Sequence, residues 1–304
     1  MKKVRIGVIG CGSMGKHHIR ILSELKEAKL VGIYDVDLSL SQEVALSFNT
    51  KAFGALELLL PEVEALSLAS PTSTHFELGL KCIRASKHLL VEKPLALNST
   101  DALSLATEAR NKGLVLAAGM IERFNPAYLA LKRQLKNDKV LGISIKRFSP
   151  FPERITDASV VMDMMIHDLD LALDLSSSDF ESLKAEGRKV KTDKFDEVVS
   201  KLFFRDGLII TLKSSRVKDS KLRSIITTNN KAIYEADLLS KKLYRRSFEK
   251  LSEKIELETK PADQLTQELR DFLVSIRRMR PALVSGDQGA RALKLAEEVE
   301  KQCL

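Results

Sequence analysis

The strongest constraint on the fold is a glycine pattern that directly follows the first apolar run. Val4 to Ile9 has the length and character of a buried β-strand, and residues 14–27 carry apolar side chains at helical spacing. The turn between them reads Gly-x-Gly-x-x-Gly. A strand, this turn and a helix inside one βαβ unit predict a dinucleotide-binding site, for which the expected contacts are Gly10, Gly12, Ser13, Met14 and Gly15.

Each glycine has its own task in such a turn. Gly10 permits the sharp change of direction, Gly12 lets the backbone approach a pyrophosphate, and Gly15 lets the helix pack closely on the strand. The start of the helix then offers free N–H groups and a positive dipole to the anion.

An aspartate, Asp35, ends the second apolar run, 20 residues after Gly15. A carboxylate at this spacing is expected to accept hydrogen bonds from the adenosine ribose, and its charge repels a 2′-phosphate. Asp35 therefore predicts NAD rather than NADP as the cofactor. The alternative is an aspartate that only caps a turn or the next helix.

Residues 1–120 alternate short apolar runs with helical patterns. After the glycine motif, the expected strands are 30–34, 65–70, 89–91 and 114–118, and the expected helices are 39–48, 74–85 and 100–112. Strands separated by helices of this length predict a parallel, doubly wound sheet. This part of the chain is predicted to be an α/β Rossmann domain that binds the dinucleotide.

Residues 121–304 have a different, strand-rich pattern. The expected helices are 126–135, 164–175, 263–278 and 287–301, and the expected strands are 142–148, 198–204, 208–214, 222–228 and 232–235. Turn-forming residues separate the strands. We predict an α+β domain with a large, mostly antiparallel sheet.

Composition excludes several classes of protein. In the 304 residues, no apolar run approaches the roughly 20 residues of a membrane-spanning helix. The N-terminal apolar run ends in the glycine turn, so it is interpreted as a strand rather than a secretory signal. Three scattered cysteines indicate neither a disulfide framework nor a zinc knuckle, and a reducing cytoplasm is the expected compartment.

The net charge of +8 raises the possibility of a nucleic-acid partner. However, 49 basic residues are interleaved with 41 acidic ones, and aromatic residues make up 5% of the chain, with no Trp. Because bases would have no evident stacking platform, we expect no nucleic-acid binding. The open interpretations are a solvated basic surface and attraction of an anionic small molecule.

Glu92-Lys93-Pro94 follows a buried apolar run, at the carboxyl end of an expected strand. In open α/β sheets, ligands bind at that edge. Lys93 is placed there to hydrogen-bond a substrate hydroxyl. The alternative is a lysine that extends from the strand end into water.

A largely apolar helical segment carries one stripe of ionisable residues. At 100° per residue, the stripe contains Asp163, His167, Asp170 and Asp174. Asp163, one turn from His167, can orient the imidazole and increase its basicity, as a general base requires. The alternatives are a helix-capping aspartate and a core histidine with satisfied hydrogen bonds. No second cluster of ligands accompanies the stripe, so no metal site is predicted.

The segment Gly119 to Pro126 follows the last strand of the first domain. Pro126 suits the first position of a helix and Asn125 its N-cap. Two interpretations stay open, a plain strand-to-helix connection and a lining of the substrate site that includes Arg123.

These segments together resemble the Gfo/Idh/MocA family of NAD(P)-dependent oxidoreductases. The resemblance rests on Gly10-x-Gly12-x-x-Gly15, Ser70-Pro71-Thr72-x-x-His75, Glu92-Lys93-Pro94, Arg123-Phe124-Asn125-Pro126 and Asp163-x-x-x-His167-x-x-Asp170. One departure is Met165, where many relatives carry glycine; it adds a side chain to this motif.

The resemblance implies a Rossmann domain followed by an α+β domain whose open sheet forms a homodimer or homotetramer interface. It implies a catalytic set of Lys93, Asp163 and His167, and a Lys93–Pro94 bond that is often cis. The further cofactor contacts that it implies are Ser70, Pro71, Thr72, His75, Glu92 and Lys93.

Within the family, residues 121–127 and 150–155 resemble the UDP-N-acetylglucosamine 3-dehydrogenase group. This implies oxidation of the sugar's 3-hydroxyl group, with an aminotransferase as a pathway partner. The implied substrate contacts are Arg123, Asn125, Arg154, Asp163 and His167, with Lys146 and Arg154 as candidates for the diphosphate. The alternatives are a dehydrogenase of a free sugar or inositol and a non-catalytic NAD-binding regulator, which would need neither Lys93 nor His167.

Overall fold

In the computed structural model, the described residues are 2–136, 138–152 and 158–303. The chain divides into two compact units. The first comprises Met1–Met120 and Leu265–Leu293, and the second comprises Ile121–Gln264 and Lys294–Leu304.

The first unit alternates strands and helices along the chain. Its elements up to residue 120 are β1 (Val4–Ile9), α1 (Ser13–Glu24), β2 (Ala28–Tyr34), α2 (Leu38–Ser47), β3 (Lys51–Phe53), α3 (Leu56–Leu59), β4 (Ala65–Leu68), α4 (His75–Arg84), β5 (His88–Glu92), α5 (Ser99–Asn111) and β6 (Leu116–Gly119). All neighbouring strands are parallel, in the order β3-β2-β1-β4-β5-β6. The order reverses between β1 and β4, and the carboxyl ends at such a point form a ligand-binding crevice. The predicted Rossmann fold is confirmed.

The second unit is built on an eight-stranded sheet. The remaining elements of the chain are α6 (Pro126–Leu135), β7 (Val140–Phe148), α7 (Ile166–Leu175), β8 (Phe180–Arg188), β9 (Glu197–Phe204), β10 (Ile209–Ser215), β11 (Leu222–Asn229), β12 (Ala232–Asp237), β13 (Lys242–Ser247), β14 (Ile255–Leu257), α8 (Gln264–Arg278) and α9 (Gly286–Gln302). The strand order is β14-β13-β12-β11-β7-β10-β9-β8. Only the β7–β10 pair among these is parallel, which confirms the mostly antiparallel α+β fold.

The two faces of this sheet differ in burial. Along β7, Ile143, Ile145 and Arg147 are buried and alternate with partly exposed residues, as the period of a strand requires. α6 packs on β12 and β13, and α7 packs on β10. On the opposite face, Val199 of β9 and Ile209 of β10 are 39% and 43% exposed. Within the described part of this unit, that face is therefore open.

Residues 265–293 pack with the first unit, although the sequence pattern placed all of 121–304 in the second domain. The reason is that this segment lies close to β6, where the Ala118 N–H donates to the Val284 carbonyl at 3.0 Å. A Cβ on Gly289 would lie 2.6 Å from that of Ala118, so helix and strand meet almost backbone to backbone. An amphipathic pattern alone does not show on which sheet a helix packs.

Five elements were not predicted from the sequence: β3, α3, β8, β13 and β14. β3, α3 and β14 span only three or four residues. β8 and β13 are rich in charged residues; β8 has no buried position and β13 has one. No helix in the described residues is both long enough and apolar enough to span a membrane.

Candidate active site

The glycine turn has the geometry of a phosphate-binding loop. Gly10 has a φ of +97°, and a Cβ there would lie 2.7 Å from the Ala69 backbone. A Cβ on Gly15 would lie 1.9 Å from the Gly10 carbonyl oxygen. Gly12 is the N-cap of α1, and a Cβ there would meet nothing within 4 Å. The fold thus needs Gly10 and Gly15, whereas Gly12 leaves open space at a helix N-terminus, where an anion binds well.

Asp35 is tied to this turn. Its Oδ2 accepts a hydrogen bond from the Cys11 N–H at 2.6 Å, and its Oδ1 accepts one from the Asp37 N–H at 3.0 Å. The N-cap of α2 is Asp37, whose carboxylate accepts from the Leu40 N–H. Asp35 therefore does not cap that helix, but it does cap the turn that leads into it. The open space at Gly12, the helix N-terminus and this carboxylate together fit a dinucleotide.

The Ser70–His75 turn lies at the end of β4. His75 is 1% exposed, and its Nδ1 and Nε2 lie 2.8 Å and 2.9 Å from the carbonyl oxygens of Pro94 and Ser70. The pKa of His75 is lowered overall, mainly by burial, although the two carbonyl contacts oppose this effect. The ring is therefore neutral, and one of its nitrogens donates to one of these carbonyls. Both nitrogens are occupied by backbone, so His75 joins two predicted cofactor segments, Ser70–Thr72 and Glu92–Pro94. The Lys93–Pro94 bond is cis.

Glu92 ends β5 and is held by His18, which is not among the site residues predicted from the sequence. His18 of α1 is fully buried, and its Nε2 lies 3.0 Å from Glu92 Oε1. Its Nδ1 lies 2.7 Å from Ser67 Oγ. Burial alone raises the pKa of Glu92, but the hydrogen bond and charge of His18, together with the Lys93 N–H and charge, lower it overall. A signal for His18 was present, because it follows Gly15 by three residues and so lies on the same, inward face of α1.

Asp163 and His167 belong to the second unit. Residues Val161–Met165 form a π-helical turn, and α7 begins at Ile166. Such turns occur often at functional sites. Asp163 and His167 are both half-buried, whereas Met165 is fully buried.

The N–H groups at the start of this turn are capped by Ser159. Its Oγ accepts from the N–H groups of Val161 and Met162, and it donates to the Glu300 carboxylate. Asp163 lies inside the turn and is not the N-cap, so the capping alternative for Asp163 is not observed.

The other carboxylates of the predicted stripe serve an ion-pair cluster. Asp170 Oδ1 accepts from Arg123 Nη1 at 3.3 Å, and Asp174 accepts from Arg123 Nη2 at 2.8 Å and from Lys132 at 2.6 Å. Asp170 is 2% exposed, and its Oδ2 has no hydrogen-bond partner among the described residues. Burial raises the pKa of Asp170 to about 7, against the opposing charge of Arg123.

Arg123 and Asn125, predicted as substrate contacts, are buried within the second unit. Arg123 is 3% exposed, and Asn125 is fully buried. Asn125 caps α6, as predicted, through the Ala127 N–H. Its Nδ2 donates to Glu122 Oε2 at 3.0 Å and to the Leu238 carbonyl at 2.9 Å.

Glu122 is the centre of this buried network. Its Oε1 accepts from Arg147 at 3.0 Å and from Arg223 at 3.1 Å, and its Oε2 accepts from Gln264 at 3.2 Å. Burial raises the pKa of Glu122, but Arg147 and its other partners lower it overall. The sequence alone does not reveal this network, because its members are far apart along the chain.

Of the two predicted diphosphate contacts, Lys146 lies on β7, half-buried, between inward-facing neighbours, and therefore points to the open face. Arg154 lies outside the described residues. In the described ranges, no group of three or more His, Cys, Asp or Glu residues could hold a metal ion.

Comparison with known proteins places this geometry in a family. Residues 4–120 match the family model GFO_IDH_MocA, described as an oxidoreductase family with an NAD-binding Rossmann fold. The chain is 33% identical to the UDP-N-acetylglucosamine 3-dehydrogenase of Acidithiobacillus ferrooxidans, with 98% of this chain and 97% of that protein covered. A crystal structure of that dehydrogenase superposes with a TM-score of 0.93, covering 99% of this chain and 98% of the other.

A second relative is the myo-inositol 2-dehydrogenase of Thermotoga maritima. It is 28% identical, and the alignment covers 98% of this chain and 96% of that protein. Both alignments cover 98% of this chain, so they include the sequence motifs and both sheets described above. The chain belongs to the Gfo/Idh/MocA oxidoreductase family, and it is an NAD-dependent enzyme.

Proposed function

We propose that this sugar dehydrogenase oxidises the 3-hydroxyl group of UDP-N-acetylglucosamine to a ketone and reduces NAD. The observation that carries the proposal is the near full-length similarity to an enzyme named for this reaction. The net charge of +8 supports it, since a basic protein attracts a substrate that carries a diphosphate.

The chain's own residues have to remove a proton from the reacting hydroxyl group. When bound, NAD supplies the carbon that accepts the hydride. We assign the proton to His167, with Asp163 orienting the imidazole ring. Lys93, at the carboxyl end of β5, is assigned the hydrogen bond to the reacting oxygen. The hydroxyl group thus loses its proton to His167 and C3 loses a hydride, which leaves a ketone.

The substrate contacts are proposals of unequal support. Arg154 is the proposed diphosphate contact, since a planar guanidinium suits phosphate oxygens. Lys146 points to the open face of the second sheet and is not assigned to the diphosphate. From the sequence, Arg123 and Asn125 were expected to contact the sugar. Their burial and internal hydrogen bonds favour an indirect effect, in which they support the segment between β6 and α6.

A second candidate reaction is oxidation of a free polyol such as inositol. The similarity to a myo-inositol 2-dehydrogenase over nearly the whole chain favours it. The two candidates differ in one measurable respect: the first needs the UDP group and the second does not.

We further propose a homodimer or homotetramer that forms through the open face of the second sheet. The exposed Val199 and Ile209 side chains on that face support this assembly. An aminotransferase that consumes the ketone is the proposed pathway partner, and the cytoplasm is the proposed compartment.

The test is a substrate panel with NAD, followed by the absorbance of the reduced cofactor. The panel contains UDP-N-acetylglucosamine, UDP-N-acetylgalactosamine, free N-acetylglucosamine, glucose 6-phosphate and myo-inositol. Because remote binding energy can raise kcat as well as lower KM, removal of UDP should lower kcat/KM by roughly 10²-fold or more. A higher kcat/KM for myo-inositol than for UDP-N-acetylglucosamine would favour the second candidate and reject the first.

A further inference from the structure

The first unit contains a buried histidine that joins the glycine-turn helix to the end of β5. His18 is fully buried in α1, and it lies between Ser67 of β4 and Glu92 of β5. Its neighbour His17 is exposed. A fully buried imidazole with polar partners on both nitrogens is held in one orientation, and it holds its partners in turn.

The chemistry of the partners fixes the direction of the hydrogen bonds. An ionised carboxylate only accepts, so Nε2 carries a hydrogen and donates to Glu92 Oε1. In the neutral ring, Nδ1 then accepts from the Ser67 hydroxyl group. In a protonated ring, Nδ1 donates to the Ser67 oxygen instead. In both states of the ring, the bond from His18 to the Glu92 carboxylate is kept.

The second carboxylate oxygen of Glu92 is also held. Oε2 accepts from the Lys93 N–H at 3.2 Å. Gly119 of the adjacent β6 brings no charge, and a Cβ there would lie 3.1 Å from the Glu92 carboxyl group. Among the described residues of this unit, the charged or titratable side chains that act on Glu92 most strongly are His18 of α1 and Lys93, and His75 of α4 also interacts with it. The carboxylate thus has a fixed position at the ligand-binding edge of the sheet.

We propose that His18 is a positioning residue that keeps Glu92 ionised and fixed at this edge, so that the site favours the oxidised cofactor over the reduced one. The nicotinamide ring of NAD⁺ carries a positive charge, and that of NADH does not. A fixed negative charge at the edge where the cofactor binds stabilises the oxidised form relative to the reduced form. This role is independent of which sugar is oxidised.

The experiment measures the dissociation constants of NAD⁺ and NADH for the whole chain. NADH is titrated by its own fluorescence, and NAD⁺ is measured by its displacement of NADH. The variants are His18→Leu, which removes both hydrogen bonds, and His18→Gln, whose amide N–H can still donate to Glu92. His17→Leu is the matched control on the exposed position, and melting temperatures report on folding.

Without His18, the pKa of Glu92 rises, because burial remains and the main opposing partner is lost. In His18→Leu, we expect NAD⁺ affinity to fall roughly tenfold relative to NADH affinity at about pH 6, and to recover partly at about pH 8. His18→Gln should restore most of the ratio, and His17→Leu should not change it. A purely structural histidine would instead weaken both cofactors equally, with no change in pH dependence.

A wild-type NAD⁺/NADH affinity ratio at every pH in a folded His18→Leu protein would overturn the proposal. If His18→Leu does not fold, Glu92→Gln decides, since it keeps the shape of the side chain and removes the charge. We then expect the same relative loss of NAD⁺ affinity, now without pH dependence. An unchanged ratio in Glu92→Gln would overturn the proposal equally.

Discussion

We propose that Asp35 selects the cofactor by its charge, and one substitution can test this. Asp35→Ser removes the carboxylate that would repel a 2′-phosphate. We expect the preference for NAD over NADP, measured as the ratio of kcat/KM, to narrow by about 10–100-fold, equivalent to about 1–3 kcal/mol. Asp37→Ser is the control, since Asp37 caps α2. Because serine is also a good N-cap residue, Asp37→Ser should change stability little and leave the ratio unchanged. Equal or better use of NADP by the wild-type enzyme would contradict the assignment.

The proposed division of labour between His167 and Lys93 is the second prediction at this scale. If His167 takes the proton, His167→Ala should lower kcat by roughly 10²–10⁴-fold, with little change in NAD affinity. If Lys93 takes it, Lys93→Met should show the larger loss. The exposed His17 provides a control in His17→Ala. Rates within a few-fold of the wild type for both variants would remove both residues from the mechanism.

Asp170 makes stability depend on pH. Its pKa in the folded protein, about 7, lies above the ordinary value of 3.8, so the folded state binds this proton more tightly than the unfolded state. The resulting stabilisation is complete below about pH 4 and is lost as the pH rises through about 7. Asp170→Asn should remove this loss.

Urea unfolding at about pH 5 and about pH 8 checks this expectation. From about pH 5 to about pH 8, the free energy of unfolding should decrease in the wild type because Asp170 loses its proton. In Asp170→Asn this decrease should be smaller by about 2–3 kcal/mol. Asp193→Asn is the control, because the Asp193 side chain is 82% exposed. Parallel pH profiles for Asp170→Asn and the wild type would show that Asp170 titrates normally.

At the scale of elements, the glycine turn contains one glycine that folding requires, Gly15, and one that cofactor binding requires, Gly12. A Cβ on Gly15 would lie 1.9 Å from the Gly10 carbonyl oxygen, so we expect Gly15→Ala to destabilise the protein by about 2–3 kcal/mol. A Cβ on Gly12 meets nothing within 4 Å. Gly12→Ala should therefore keep the melting temperature and weaken NAD binding roughly tenfold. Comparable losses of stability in both variants would contradict this division.

Local patterns predicted the elements whose own residues determine them. α6 begins at Pro126 and ends at Leu135, as expected, because Asn125 and Pro126 specify its start. β8 was not predicted, because its charged residues hide the alternation of apolar and polar side chains that marks a strand. The strand is formed by its pairing with β9, which the residues of β8 alone do not indicate. The π-helical turn around Asp163 was read as ordinary helix, since no residue type marks it.

The same distinction applies to the candidate site. The glycine turn and Asp35 are close in sequence to the elements that position them, so the sequence was sufficient to find them. His18 and Glu92 are 74 residues apart, and only the parallel order of β1, β4 and β5 brings them together. Arg123 was expected to contact the substrate, but in the structure it forms ion pairs with Asp170 and Asp174 of α7. The sequence does not indicate these ion pairs, because they form only when α7 packs beside Arg123.

At the scale of the whole molecule, the chain combines a dinucleotide-binding unit with a unit built on a large sheet. Lys93 belongs to the first unit, and Asp163 and His167 belong to the second. The central claim is that C3 of UDP-N-acetylglucosamine gives its hydride to NAD. This claim concerns the position of one hydrogen atom, so an isotope can follow it.

The most direct measurement uses UDP-N-acetylglucosamine that carries deuterium at C3, with NAD and a ketone trap. We predict that mass spectrometry will find the deuterium in the reduced cofactor and a trapped 3-keto sugar nucleotide. Glucose 6-phosphate and myo-inositol, tested in parallel, should give much less reduced cofactor. Reduced cofactor without deuterium, or no keto product from the nucleotide sugar while myo-inositol is oxidised, would contradict the account.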